Sequence, residues 1–229
     1  MPTTADYVPF VLSGVIWTVS LSLCSLALSV VIGLAGAAGR IAGPKWLNGL
    51  IKVYVTVVRG VPDLVWMFLV YYGGQALINA VGTSLGLWRY LEINQFAAGV
   101  FTIAFVFGAY MTETFRGGAM SIPAGQIEAG IALGLRRSRL LFAIVRPQLF
   151  RNALPSFTNN WLGMVKTTAL VSVIGLPDVV YNAHSAGRAT GKPFTFLLIA
   201  LAVYLALTAL TDLVLRFAEK RNDAGGWRI

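Results

Sequence analysis

Ser121–Pro155 reads SIPAGQIEAGIALGLRRSRLLFAIVRPQLFRNALP. It stands between long apolar runs yet carries the densest cluster of basic residues in the chain. Pro123 suits the first turn of a helix, where its missing N–H has no partner to lose. Ile127 and Ile131 then repeat at i, i+4 and put apolar side chains on one face, away from Gln126 and Glu128. Gly134 suits the left-handed residue just past a helix end. At ~1.5 Å per residue this helix is roughly 17 Å long, too short to cross a bilayer core. A second short helix is expected from Ser138 as N-cap to about Arg146, because Pro147 disfavours helical geometry in the residue before it. Together they form a hairpin on a membrane surface, within a loop of about 117–153, presented to something in the water.

Composition agrees with a membrane protein. The 229 residues are 57% apolar and 12% charged, with mean hydropathy +0.73, whereas soluble domains are nearer a quarter charged. The net charge of +9 raises the question of nucleic acid, but the basic residues gather in short loops between apolar runs, as the positive-inside rule requires. No nucleic-acid partner is expected. The single Cys24 lies in an apolar run and excludes a disulfide framework within one chain. Met1–Tyr7 lacks the basic start of a cleavable signal, so the first span is expected to act as an uncleaved insertion signal. Without repeats or a soluble insertion, residues 1–229 read as one transmembrane domain.

Working outward along the chain, five spans are expected: Val11–Ala38, Leu64–Val81, Phe96–Thr114, Phe157–Ile174 and Phe194–Phe217. Gly33–Gly39 supplies small residues that let helices approach closely in lipid. Trp46–Val58 reads as an interfacial extension of the second span, broken by Arg59-Gly60-Val61-Pro62 because Pro62 removes a backbone donor. Trp88, Tyr90 and Glu92 mark a polar connection with interface aromatics, and Tyr181–Lys192 reads as an outer loop. Lys and Arg number four in residues 40–59, six in 116–151 and four in 216–228 on one side. On the other side, residues 82–95 hold one and 178–193 hold two. This asymmetry puts the hairpin and C-terminus in the cytoplasm and, with five spans, the N-terminus outside. The fold class is thus all-α, a polytopic membrane helix bundle.

The hairpin resembles a known family. Glu128-Ala129-Gly130, Gly134, Ile144 and Pro147 are similar to the Glu-Ala-Ala…Gly…Ile…Pro loop of bacterial ABC importer permeases. Gly130 stands where Ala is usual and Arg146 where an apolar residue is usual; Gly for Ala in a helix costs roughly 1 kcal/mol. Arg59-Gly60-Val61-Pro62, Gly108-Ala109-Tyr110, Glu113, Arg116-Gly117, Ser121-Ile122-Pro123, Gly125-Gln126 and Leu170-Val171-Ser172 resemble the polar amino-acid and opine branch. The resemblance runs from about Thr18 to Arg221, with the last part most like histidine and opine permeases. It implies a type I importer permease in the bacterial inner membrane. A second permease subunit, identical or a paralogue, is implied, with two cytoplasmic ATP-binding subunits and a periplasmic or extracellular binding protein. The chain itself then holds no cofactor; ATP and magnesium are used by the partner. The hairpin becomes the coupling helix, with Gln126, Glu128, Ala129, Gly130, Gly134 and Arg136 toward the ATPase, and Arg59, Gly60, Pro62 and Pro147 become structural motif positions.

Few other residues carry chemistry. Lys166 falls inside the fourth span, where a cation is costly and marks a pathway; it otherwise snorkels to the interface or pairs with Glu113. The resemblance places Lys166, Thr168, Leu170, Val171 and Ser172 at the interface between permease subunits. Glu113 and Arg116, three apart, pair on one face or touch the substrate path or a neighbouring subunit. Asn159, Asn160, Thr167 and Ser172 either face the same path or bond neighbouring helices. Asp212 and Arg216 form an i, i+4 pair. His184, alone in its loop, is a poor metal ligand. Gly187–Pro193 falls one residue short of a phosphate loop and ends in Pro where magnesium needs Ser or Thr. With no nucleophile–base pair in the spans, catalysis is not expected. A gradient-driven transporter or channel is the alternative; such proteins commonly show internal repeats and several intramembrane charges, whereas here no repeat is visible and Lys166 is the only clear mid-span charge.

Overall fold

The computed structural model describes residues 4–223, with side chains to Phe217; residues 1–3 and 224–229, including the end of the charged tail Glu219–Ile229, lie outside the described residues. It is all-α: α1 (Thr4–Ala42), α2 (Lys45–Gly60), α3 (Asp63–Phe68), α4 (Gly74–Ser84), α5 (Gln95–Met120), α6 (Ala124–Ala132), α7 (Arg137–Leu140), α8 (Arg146–Thr167), α9 (Val179–Thr190) and α10 (Pro193–Asp223). A wide π turn, Leu69–Gly73, joins α3 to α4 without a break. Four stretches are long and apolar enough to cross a membrane: α1, Asp63–Ser84, α5 and Pro193–Phe217. A fifth is made if Arg137–Ile174 and α9, bent by 49° between them, count as one span.

The core is α5 with helices packed around it. Ala98, Ile103, Val106, Ala109, Met111 and Phe115 are all buried, the all-round burial of a central helix. Against it α1 lays a stripe of small residues at four-residue intervals, Ser25, Ser29, Gly33 and Ala37. A Cβ on Gly33 would stand 2.4 Å from Met111 Cβ, and one on Gly36 2.3 Å from Thr112 Oγ1. Glycine therefore sets the distance between these two helices, as the cluster Gly33–Gly39 predicts. The hydroxyls of Thr18 and Ser22 donate back to Gly14 O and Thr18 O, at 3.2 and 2.8 Å, so both are satisfied within the helix. Gln75 and Asn79 staple the connection after α4: Asn79 Oδ1 accepts from Leu91 N at 2.6 Å and Gln75 Oε1 from Ile93 N at 2.7 Å.

The structure corrects several expectations. Pro147 does not end the hairpin. The chain is helical from Arg137, capped by Arg136 rather than Ser138, through a π turn (Leu141–Val145) and α8 to a 3-10 turn, Thr168–Ile174. In the π turn the Arg146 N–H reaches back to Leu141 O. This wider turn opens the helix just ahead of Pro147, where a regular α turn would push the ring against the carbonyl of Ala143. The helix that carries the fourth span therefore starts well before Phe157. Pro123 is the residue just outside α6, not in its first turn. Ile131 is 63% exposed, and Gly130 is the buried position on α6. The outer segment Tyr181–Lys192 is mostly helix rather than loop: Asp178 Oδ1 caps α9 by accepting from Tyr181 N at 2.8 Å, and Gly191 closes it with φ +69°. Its face Val179, Ala183 and Ala186 is buried with Val11 and Phe196.

Candidate functional site

The first candidate region is the surface hairpin. Gly134 has φ +72°, and the N–H groups of Gly134 and Leu135 donate to Ile131 O and Gly130 O at 2.9 and 3.1 Å. These two bonds form the paired closure that a left-handed glycine allows at a helix end. A Cβ on Gly130 would meet the methyl ends of Ile144 and Leu140 at 3.1 and 3.2 Å, so the absence of a side chain lets α6 lie close on the helix that follows it. Gln148 Nε2 donates to Gln126 Oε1 at 2.6 Å and fastens α6 to α8. Glu128, Ala129 and Arg136 are exposed, and Leu133 beside them is 81% exposed. The hairpin thus presents a mixed apolar and charged face on a firm base.

The second region is a polar cavity at the C-terminal end of α5. Arg116 donates from Nη2 and Nε to Glu113 Oε2 at 2.7 and 2.9 Å, and Arg40 Nη2 stands 3.8 Å from Glu113 Oε1. The i, i+3 pair is formed as its spacing predicts. Lys166 is not the partner of Glu113; among the described residues its ion partners are the two arginines. The Arg59 guanidinium lies over the Tyr110 ring, 4.9 Å from its centre. A cavity of about 450 Å³ is lined by Arg40, Lys52, Thr56, Arg59, Tyr110 and Glu113. An adjoining one of about 310 Å³ shares Arg59, Tyr110 and Glu113 and adds Thr114, Ser156, Asn159 and Asn160. Asn160 Nδ2 also donates to Thr114 Oγ1 at 2.9 Å, bonding α8 to α5.

The remaining pathway candidates lie elsewhere. Thr168 is buried, its hydroxyl donating to Val165 O at 2.6 Å. Ser172 donates to Ala169 O at 2.7 Å and borders a cavity of about 430 Å³ with Val173, Val180, Tyr181, His184 and Arg188. Gly99, near the start of α5, stands against Val171, whereas Thr114 meets Asn160; these two levels are roughly 22 Å apart at the rise of a helix. Lys166 lies between the two cavities and is exposed, three residues beyond Gly163, which sits near the Phe107 ring at the middle of α5. Arg40, Lys52, Thr56, Thr114 and Ser156 are polar site residues that sequence reasoning did not assign to the site. Lys52, Thr56 and Arg59 fall on one face of α2 at i, i+4 and i+7, a signal present in the sequence.

Comparison with known proteins adds the family. Residues 29–223 match the binding-protein-dependent transport system inner membrane component. The chain is 43% identical over 216 residues, 94% of each chain, to the histidine/lysine/arginine/ornithine transport system permease protein of Escherichia coli (strain K12). It is 35% identical over 208 residues to the octopine transport system permease protein of Agrobacterium tumefaciens (strain Ach5), covering 91% of this chain and 88% of that one. A solved structure described as an amino acid ABC transporter with histidines superposes with TM-score 0.81 at 29% identity, over 96% of this chain and all of that one. The match over most of the described bundle shows that the chain belongs to the binding-protein-dependent transport system inner membrane component family.

Proposed function

We propose that this chain, a permease subunit of a polar amino-acid ABC importer, moves basic amino acids or opines inward across the bacterial inner membrane. The substrate class rests on relatives named for histidine, lysine, arginine, ornithine and octopine. The chain performs no chemistry. ATP is hydrolysed with the aid of magnesium by two cytoplasmic ATP-binding subunits, and a binding protein delivers substrate from outside. A second permease, identical or a paralogue, completes the path. Lys166 supports that pairing: it is exposed near the middle of α5's length, and a cation facing lipid at that depth is costly whereas one facing another subunit or a polar path is not. Glu113 and Asn160 border the path on the hairpin side, and Ser172 borders it on the opposite side.

The observation that carries the coupling role is the packing of α6, at Gly130 and through its glycine closure, on the helix from Arg137 to Ile174. Gln126, Glu128, Ala129, Gly130, Gly134 and Arg136 all lie on or under the exposed hairpin face, and Gly130 of α6 packs on Leu140 and Ile144 beyond the short turn 133–136, so a push from an ATPase groove passes into the bundle through side-chain contact. The basic excess on the same side puts that face in the cytoplasm, with the N-terminus outside. The test is ATPase activity of wild type and Glu128→Ala, each purified in nanodiscs with its co-purifying subunits. An ATPase subunit that travels with wild type and is lost or uncoupled in the variant supports the reading. A wild-type chain that purifies without an ATPase and moves solute down an ion gradient sinks it.

A further inference from the structure

Arg40 lies in the last turn of α1 with a side chain only 14% exposed, and its Nε and Nη1 are buried with no acceptor among the described residues. Its nearest carboxylate oxygen, Glu113 Oε1, stands 3.8 Å away, past hydrogen-bond reach, while Oε2 is taken by Arg116. Unspent donors on a buried, permanent cation are among the costliest groups to leave without a partner. Lys52 and Arg59 line the same cavity of about 450 Å³ with Thr56, and neither forms an ion pair among the described residues. Three cations therefore share this space with one carboxylate that already serves a fourth.

α2 shows what lies alongside. It has a core face, with Val55 and Val58 buried and Tyr54 donating to Phe105 O at 2.6 Å. Its second face carries Trp46, Leu50, Val53 and Val57, 67, 61, 60 and 46% exposed, at the three- and four-residue intervals of one apolar stripe. Its third face carries Lys52, Thr56 and Arg59 into the cavity. A helix with an exposed apolar stripe beside a basic pocket suits a molecule with an apolar body and an anionic head.

We propose that this cavity is a binding site for a phosphate-class anion, held by Arg40, Lys52 and Arg59, and that an anionic phospholipid of the adjoining leaflet supplies it, with its acyl chains along the α2 stripe. A phosphodiester offers acceptors in several directions to cations arriving from the end of α1 and from successive turns of α2. A carboxylate offers only two oxygens in one plane. The cavity adjoins the space assigned to the transport path and shares Arg59, Tyr110 and Glu113 with it, but the anion site does not rest on the coupling role.

The full-length chain in zwitterionic detergent is titrated with phosphatidylglycerol, and bound lipid is counted by native mass spectrometry. Arg40→Gln and Lys52→Gln are compared with wild type and with Lys45→Gln, whose side chain lies outside the cavity lining. Lys52 is exposed, so its replacement leaves the fold intact even if that of Arg40 does not. Wild type and Lys45→Gln are expected to hold lipid alike, and Lys52→Gln about fivefold more weakly. In a second arm inorganic phosphate is added to lipid-free protein and thermal unfolding is followed. A stabilisation by phosphate that Lys52→Gln loses, without any difference in lipid retention, assigns the same site to a soluble phosphate rather than a lipid. Equal lipid retention and equal phosphate response in wild type and Lys52→Gln overturn the proposal.

Discussion

Glu113 is the only carboxylate among the residues lining the basic cavity, and its two oxygens face different arginines. A carboxylate shared in this way restrains both guanidiniums at once, one on its own helix and one on α1. Replacing it with glutamine keeps the shape and removes the charge, leaving Arg40 and Arg116 to repel each other. Glu113→Gln is therefore expected to lower stability by about 1–3 kcal/mol, read as a fall in the midpoint of thermal unfolding in detergent, and an unchanged midpoint would contradict it. At this scale the sequence was half legible. Arg116 is three residues from Glu113, so local spacing found it. Arg40 is distant in the chain and meets Glu113 only because glycines on α1 let that helix close on α5, and such a meeting leaves no mark in local periodicity.

Helix contacts in this bundle are set by glycines whose sequence contexts look alike and whose surroundings do not. Gly33→Ala forces a methyl to within 2.4 Å of Met111 Cβ and is expected to cost about 1–3 kcal/mol of thermal stability. Gly49→Ala, in the interior of α2 with nothing within 4 Å, is expected to be neutral or to gain up to about 1 kcal/mol from helix propensity. Equal effects of the two would refute the packing account. Pro147 makes a second contrast. If the π turn at Leu141–Val145 exists to accommodate its ring, Pro147→Ala lets the turn relax to regular α and rotates the hairpin by roughly 90–100° relative to α8. The expected result is a folded chain with impaired ATPase coupling, measured by helical content and ATP turnover side by side. Local rules read proline as a stop because they assume regular α geometry on either side. They read the segment after Pro177 as a loop because its apolar positions are mainly small, Ala183, Ala186 and Gly187, and carry little hydropathy even though they are buried.

For the whole molecule, orientation is the property most directly open to test. In a Cys24→Ser background, Leu133→Cys on the hairpin is expected to react with a membrane-impermeant maleimide in inside-out vesicles and not in intact cells. His184→Cys on α9 should do the opposite. Labelling of both from one side would overturn the charge-based orientation. The bundle class, the membrane setting and the hairpin were legible in hydropathy and charge, because both are sums over many residues. The basic cavity was not, since Arg40, Lys52 and Arg59 enter such sums only as loop charges and acquire a joint meaning when α1, α2 and α5 are assembled.

The uninterrupted helix from Arg137 through Thr167 has a mechanical consequence. At the rise of an α-helix it measures roughly 46 Å, so a tilt of about 10° at its surface end sweeps the far end through about 8 Å, set by that same length. A flexible joint at Pro147 would have absorbed such a stroke as local bending. Without one, compliance concentrates at the π turn near the driven end, at Pro155 inside α8, which lacks a backbone donor, and at the 49° bend near the other end. Between these soft points the helical segments act as a jointed connecting rod, and displacement rather than force is what they deliver.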